Sequence, residues 1–120
     1  QNHAKITKVR YPGFGAVISF EIDGSADQAE KVCESSKLIT HATSLGGVES
    51  LWERRRRWAG ESPSVPEQLI RISVGCEHVE DIWQDIEQAL ACLRDFLDNS
   101  EYFYPMLKAL RRTVAALTVT

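Results

Sequence analysis

The sequence predicts an α+β fold, and three observations carry that expectation. Residues 16–22 and 69–75 alternate apolar with polar side chains, the two-residue period of a half-buried strand. Residues 79–97 place Val79, Ile82, Trp83, Ile86, Ala89, Leu90, Leu93, Phe96 and Leu97 at steps of three and four, the broad stripe of an amphipathic helix. A chain of 120 residues with 43% hydrophobic and 26% charged residues suits one compact domain.

Residues 6–11 alternate β-branched or aromatic with polar side chains, as in a short edge strand, and Pro12-Gly13 ends it in a turn. In residues 16–22, Ala16, Ile18, Phe20 and Ile22 share one face, while Val17, Ser19 and Glu21 share the other. Asp23-Gly24 stops that strand. Ser25 followed three residues later by Gln28 is a capping box, which predicts a helix over 26–36 with Ala29, Val32 and Cys33 on its apolar side. A strand over 38–43 follows, then the flexible turn Ser44-Leu45-Gly46-Gly47, then an extended or short helical segment over 48–52.

Residues 53–67 are the least regular stretch. They hold Arg54, Arg55, Arg56 and Arg57, then Gly60, Pro63 and Pro66, and read as an exposed loop. The strand over 69–75 sets Ile70, Ile72 and Val74 against Leu69, Arg71 and Ser73, which leaves an arginine among apolar neighbours. The long helix over 79–97 breaks at Asp98-Asn99-Ser100. Pro105 suits a first helical position, so Met106, Leu107, Leu110, Val114 and Leu117 predict a further C-terminal helix. The expected division is a domain over 1–98 and a helical extension over 99–120.

A formal charge of −3 and a pI near 5.6 provide no global field toward nucleic acid or an anionic membrane. No apolar stretch approaches the roughly 20 residues of a membrane span, and no signal-like segment opens the chain. Cys33, Cys76 and Cys92 are odd in number and widely spaced, as expected of reduced thiols in a cytoplasmic protein, with Cys33 and Cys92 on apolar helix positions. His41 and His78 lack the spacing of metal ligands. The arginine run invites a phosphate reading, but it is local, lies between Trp52 and Trp58, and sits in an acidic chain.

Three blocks, taken in order, point further: residues 14–20 (FGAVISF), residues 44–51 (SLGGVESL), and residues 70–75 (IRISVG) with Glu77 and Asp81 behind them. Together they resemble the C-terminal domain of the pyridoxal-phosphate-dependent enzymes of Cys/Met metabolism, and residues 53–58 with Val65-Pro66 resemble the cystathionine γ-lyase and γ-synthase branch. The resemblance implies an antiparallel sheet backed by helices, as in the small C-terminal domain of fold-type I enzymes. It implies that Arg71 grips the α-carboxylate of a sulfur-containing amino acid, with Ser44 and the backbone of Leu45 beside it. A planar guanidinium offers a carboxylate two parallel N–H groups, which makes that assignment chemically sound.

The same resemblance implies a larger parent. In the family an N-terminal large domain carries the Schiff-base lysine, the partner of the pyridinium nitrogen and the phosphate-binding loop. None of those motifs is found here, so this chain alone is expected to bind no pyridoxal phosphate and to be catalytically silent. The expected partners are a large domain or partner subunit and further copies of the chain in a homo-oligomer. The competing expectation is a non-catalytic amino-acid-binding or oligomerisation module that kept the fold. The residues also permit a purely structural role, with Arg71 paired to Glu49 or Glu77 and Ser44 capping a turn. An internal ion pair at Arg71 would count against the expected role.

Overall fold

The computed structural model describes residues 6–93 and 108–109. Five strands and two α-helices follow in the order β1 (Ile6–Arg10), β2 (Val17–Ile22), α1 (Ala26–Glu34), β3 (Thr40–His41), β4 (Leu51–Arg54), β5 (Leu69–Ser73) and α2 (Val79–Leu90). A short 3₁₀ turn, Arg55–Arg57, continues from β4. The strands form one sheet ordered β1-β2-β5-β4-β3. The pairs β1–β2, β2–β5 and β4–β5 are antiparallel, as expected, and the two-residue pair β3–β4 at the edge is parallel.

The alternation read from sequence sets the two faces. Ile18, Phe20, Ile22, Trp52, Ile70 and Ile72 point to the side covered by the helices, where all six are buried. Helix α1 contributes Ala29, Val32 and Cys33, and α2 contributes Val79, Ile82, Trp83, Ile86 and Ala89. Each large side chain so buried contributes about 1.5–3 kcal/mol before its entropy cost. The capping box at α1 forms as predicted: Ser25 Oγ accepts from the Gln28 N–H at 3.2 Å, and Gln28 Oε1 accepts from the Ser25 N–H at 2.8 Å. Helix α2 starts with the His78 ring accepting from the Glu80 N–H, and Glu80 and Asp81 sit in its first turn, where the helix dipole favours negative charge.

Four expectations are corrected. The strand over 38–43 shrinks to Thr40–His41, because the N–H groups of Lys37, Leu38 and Ile39 all donate to the Asp85 carboxylate instead of to a sheet neighbour. The extended segment over 48–52 starts later, at Leu51, and runs into the arginines as far as Arg54. The exposed loop over 53–67 is not exposed at its start: Glu53 is fully buried and Arg55, Arg56 and Arg57 are half-buried.

The fourth correction concerns α2, which ends at Leu90, where short i to i−3 bonds at Cys92 and Leu93 tighten the chain. Cys92 therefore lies past the helix, packed partly against the core. The predicted helix end at 94–97, the break at 98–100 and nearly all of the extension over 99–120 lie outside the described residues. Of that extension, Lys108 and Ala109 are helical.

Candidate carboxylate-binding site

The sheet face away from the helices carries the polar half of each alternation. Arg71 on β5 stands between Ser19 of β2 and Glu53 of β4 in the strand register. Two residues on, the Ser73 hydroxyl accepts from the Gly46 N–H at 2.8 Å, which pins the SLGG turn beside Arg71. Gly46 has φ +78°, a left-handed conformation that favours glycine, and this lets the chain double back at that point. Gly75 closes the other side, with its N–H bonded to the buried Ser50 hydroxyl at 2.9 Å. Ser50 in turn is held by Glu77, at 2.7 Å through its N–H and 2.8 Å through its hydroxyl.

Arg71 is not an uncommitted guanidinium. Its Nη2 donates to the carbonyl oxygens of Thr43 and Ser44 and to Glu53 Oε1 at 3.3 Å. The internal partner is Glu53, across the ladder, and not Glu49 or Glu77. The expectation of a free arginine is thus corrected, and the reason is register, which no local pattern discloses. Among the described residues Nη1 takes part in none of these bonds, and Nε is buried with no acceptor. Ser44 reaches Arg71 through its backbone carbonyl and lies exposed, as does Leu45.

Glu53 serves more than Arg71. Its side chain is 0% exposed and is also met by Arg55, by Arg57 Nε at 3.4 Å, by Trp58 Nε1 at 3.1 Å and by the Thr43 hydroxyl at 3.1 Å. Burial alone would push this carboxyl up; the hydrogen bonds from Trp58, Arg55 and Thr43 outweigh it and hold the group below the ordinary range. Arg55 also pairs with Glu61, and these partners hold its guanidinium charged against the cost of burial. Arg71 fares worse: burial, then the charge of Arg55, lower its hold on the proton.

The arginines of the run have further partners. Arg54 pairs with Glu30 at 2.8 Å and Glu67 at 3.1 Å, while Arg56 pairs with Glu67 at 2.9 Å and donates to the Pro63 and Val65 carbonyls. Arg57 also lies over the Trp58 ring and contacts His41 Nε2 at 2.8 Å. In this network the five guanidiniums of Arg54, Arg55, Arg56, Arg57 and Arg71 meet the four carboxylates of Glu30, Glu53, Glu61 and Glu67. Among the described residues, one positive charge of this network is left without a carboxylate of its own.

Sequence reasoning named Arg71, Ser44 and Leu45, and the fold brings Arg71 to the Ser44 turn. It missed Glu53, Thr43 and Trp58. The only signal for Glu53 was a glutamate directly after Leu51-Trp52, at the parity of Leu51 in an extended stretch.

The chain has known relatives. The family described as Cys/Met metabolism PLP-dependent enzyme matches residues 1–91. This chain belongs to that family. A cystathionine γ-lyase of Saccharomyces cerevisiae is 44% identical over 84 residues, covering 63% of this chain and 21% of the yeast protein. A cystathionine γ-synthase of Mycobacterium tuberculosis is 33% identical over 110 residues, covering 74% of this chain and 28% of its own length. Among solved structures, MetB from Corynebacterium glutamicum superposes with a TM-score of 0.69 at 40% identity, covering 75% of this chain and 29% of the MetB chain. The chain therefore matches less than a third of the length of these relatives.

The family's parent enzymes use pyridoxal phosphate. The described residues do not fit that cofactor. An imine-forming lysine is activated by a desolvated pocket or a neighbouring cation, and Lys8, Lys31, Lys37 and Lys108 are all exposed.

Proposed function

We propose that this chain is the substrate-carboxylate-binding domain of a pyridoxal-phosphate-dependent transsulfuration-type enzyme, one that eliminates or replaces the sulfur-bearing group of a cystathionine-like amino acid. The domain itself does not catalyse the reaction. Arg71 receives the α-carboxylate, and the turn at Ser44 and Leu45 forms the adjoining wall. Pyridoxal phosphate is held by other parts of the enzyme, which works as a cytoplasmic homo-oligomer.

One observation carries this reading. Three guanidiniums, those of Arg55, Arg57 and Arg71, share the single buried carboxylate of Glu53, and Arg71 has no other carboxylate partner among the described residues. An incoming carboxylate would meet the surplus charge and offset the desolvation that weakens Arg71. The internal ion pair with Glu53 is the observation that counts against this reading; the pair engages Nη2 and leaves Nη1 outside it.

The test is Arg71→Ala in the full-length enzyme that carries this domain, assayed with L-cystathionine and with an α-carboxamide analogue. Losing a charge-assisted contact of about 1.5–3 kcal/mol should raise KM for the acid by about tenfold or more. The variant should also lose its preference for the acid over the carboxamide. Equal damage to both substrates would refute the carboxylate role.

A further inference from the structure

The Glu53–Arg71 pair deserves a role of its own, because the two residues face each other in register and yet the acid is shared. The ladder sets Glu53 opposite Arg71. Glu53 Oε1 takes Arg71 and Arg55, while Oε2 takes Trp58, Thr43 and Arg57. Both oxygens are thus committed, and the carboxylate cannot rotate without losing several bonds at once. On the arginine, Glu53 and the Thr43 and Ser44 carbonyls all act on Nη2 alone. The guanidinium is gripped at one corner by groups that are themselves fixed.

We infer that Glu53 is a positioning residue for the Arg71 carboxylate clamp. This rests on the carboxylate role proposed above. Glu53 holds Nη2, and with Nε buried this leaves Nη1 as the nitrogen outside these bonds that an incoming carboxylate can meet. Arg55 and Arg57 draw enough of the Glu53 charge to keep it from neutralising Arg71. Trp58 and Thr43 fix Glu53 in turn, so the loop that follows β4 sets the angle of the clamp. A side chain as long as arginine has many rotamers, and fixing it before the substrate arrives removes that ordering cost from binding.

The experiment uses the full-length enzyme with Glu53→Gln, Arg71→Ala and the double variant, assayed with L-cystathionine and its α-carboxamide analogue. Glu53→Gln offers one acceptor oxygen where two sets of donors wait, so it cannot satisfy both. The expected result is a rise of about tenfold in KM for the acid, with kcat and the carboxamide KM changing by less than about twofold. In the Arg71→Ala background the same substitution should change KM by less than about twofold, because its effect runs through Arg71.

Three results would overturn the inference: an unchanged KM, equal losses for acid and carboxamide, or additive effects in the double variant. Glu53→Asp guards against a folding defect, since it keeps the charge and only withdraws the carboxylate by one methylene. Positioning predicts a raised KM for the Asp variant too, and a full return to the parent KM would assign Glu53 a charge role instead. If Arg71→Ala itself fails to separate acid from carboxamide, the carboxylate reading falls first, and the two failures are told apart.

Discussion

Asp85, on the second turn of α2, accepts from three consecutive backbone N–H groups of the chain leaving α1: Lys37 at 2.8 Å, Leu38 at 2.9 Å and Ile39 at 2.7 Å. The side chain of Gln88 closes the arrangement, donating to Asp85 at 2.9 Å and to the Ser35 carbonyl at 2.7 Å. One acidic residue on a core-facing helix thereby replaces the sheet partner that residues 37–39 lack. This is why the predicted strand is short and why the chain enters β3 at a defined angle.

Replacing Asp85 by Ala should remove those acceptors and leave the Ile39 N–H buried and unpaired. The cost should be about 3 kcal/mol or more, since bonds to a charged acceptor and an orphaned donor are both involved. Hydrogen exchange reads this locally: amides 37–39 should lose their protection while β2 and β5 keep theirs. Protection that survives the substitution would show that another group satisfies these amides.

Gly75 lies where no side chain fits. A Cβ there would collide with the Val48 carbonyl oxygen and the Glu49 backbone, neither of which can swing aside as a side chain would. Gly75→Ala should therefore destabilise the protein by about 1–3 kcal/mol. Gly60→Ala is the matched control, because nothing lies within 4 Å of its Cβ position, and it should change stability by less than about 0.5 kcal/mol. Thermal midpoints of the two variants compare them directly, and equal shifts would contradict the steric argument.

Glu53 ties stability to pH with a definite sign. Its carboxyl is held below the ordinary value of 4.5, so the folded protein favours the ionised form more than the unfolded chain does. The resulting stabilisation is fully present above that ordinary value and is lost as pH falls through the lowered one. Glu53→Gln lacks this component. The gap in unfolding midpoint between parent and variant should be widest near pH 7 and should narrow on acidification to about pH 3.5. A gap independent of pH would mean that Glu53 stabilises the fold by shape alone.

The three thiols should separate by accessibility. Cys33 is fully buried under the sheet, and that burial, followed by the charge of Glu30, pushes its thiol far above the ordinary range. Cys76 is exposed in the turn after β5. A water-soluble disulfide reagent should label Cys76 in the native protein and reach Cys33 only after unfolding, because the thiolate is the reactive form. Rapid native labelling of Cys33, mapped by peptide mass, would show that the α1–β4 packing opens readily.

Much of the architecture was legible beforehand because it rests on short-range physics. The Ser25–Gln28 capping box, the two alternating strands and the apolar side of α1 all follow from spacings of two, three or four residues. The family blocks add Arg71 and the Ser44 turn, and the fold does bring these together. What stayed hidden were partnerships spanning long stretches of chain. Glu53 with Arg71, Asp85 with residues 37–39 and Glu67 with Arg54 are examples. The run of four arginines departs from its expected exposure because glutamates both near in sequence, Glu53 and Glu61, and far from it, Glu30 and Glu67, turn inward to neutralise it.

Sequence alone determined which residues of β2 and of β5 share a face, because the pleat of a strand turns alternate side chains to opposite sides whatever lies nearby. It also carried the motif that marks the family. Only tertiary structure decided that β4 continues into the arginines, that β3 lies parallel to it, and that a buried glutamate stands opposite Arg71. Those facts depend on strand register and on charges meeting across the sheet, energies that arise only after the chain has closed on itself.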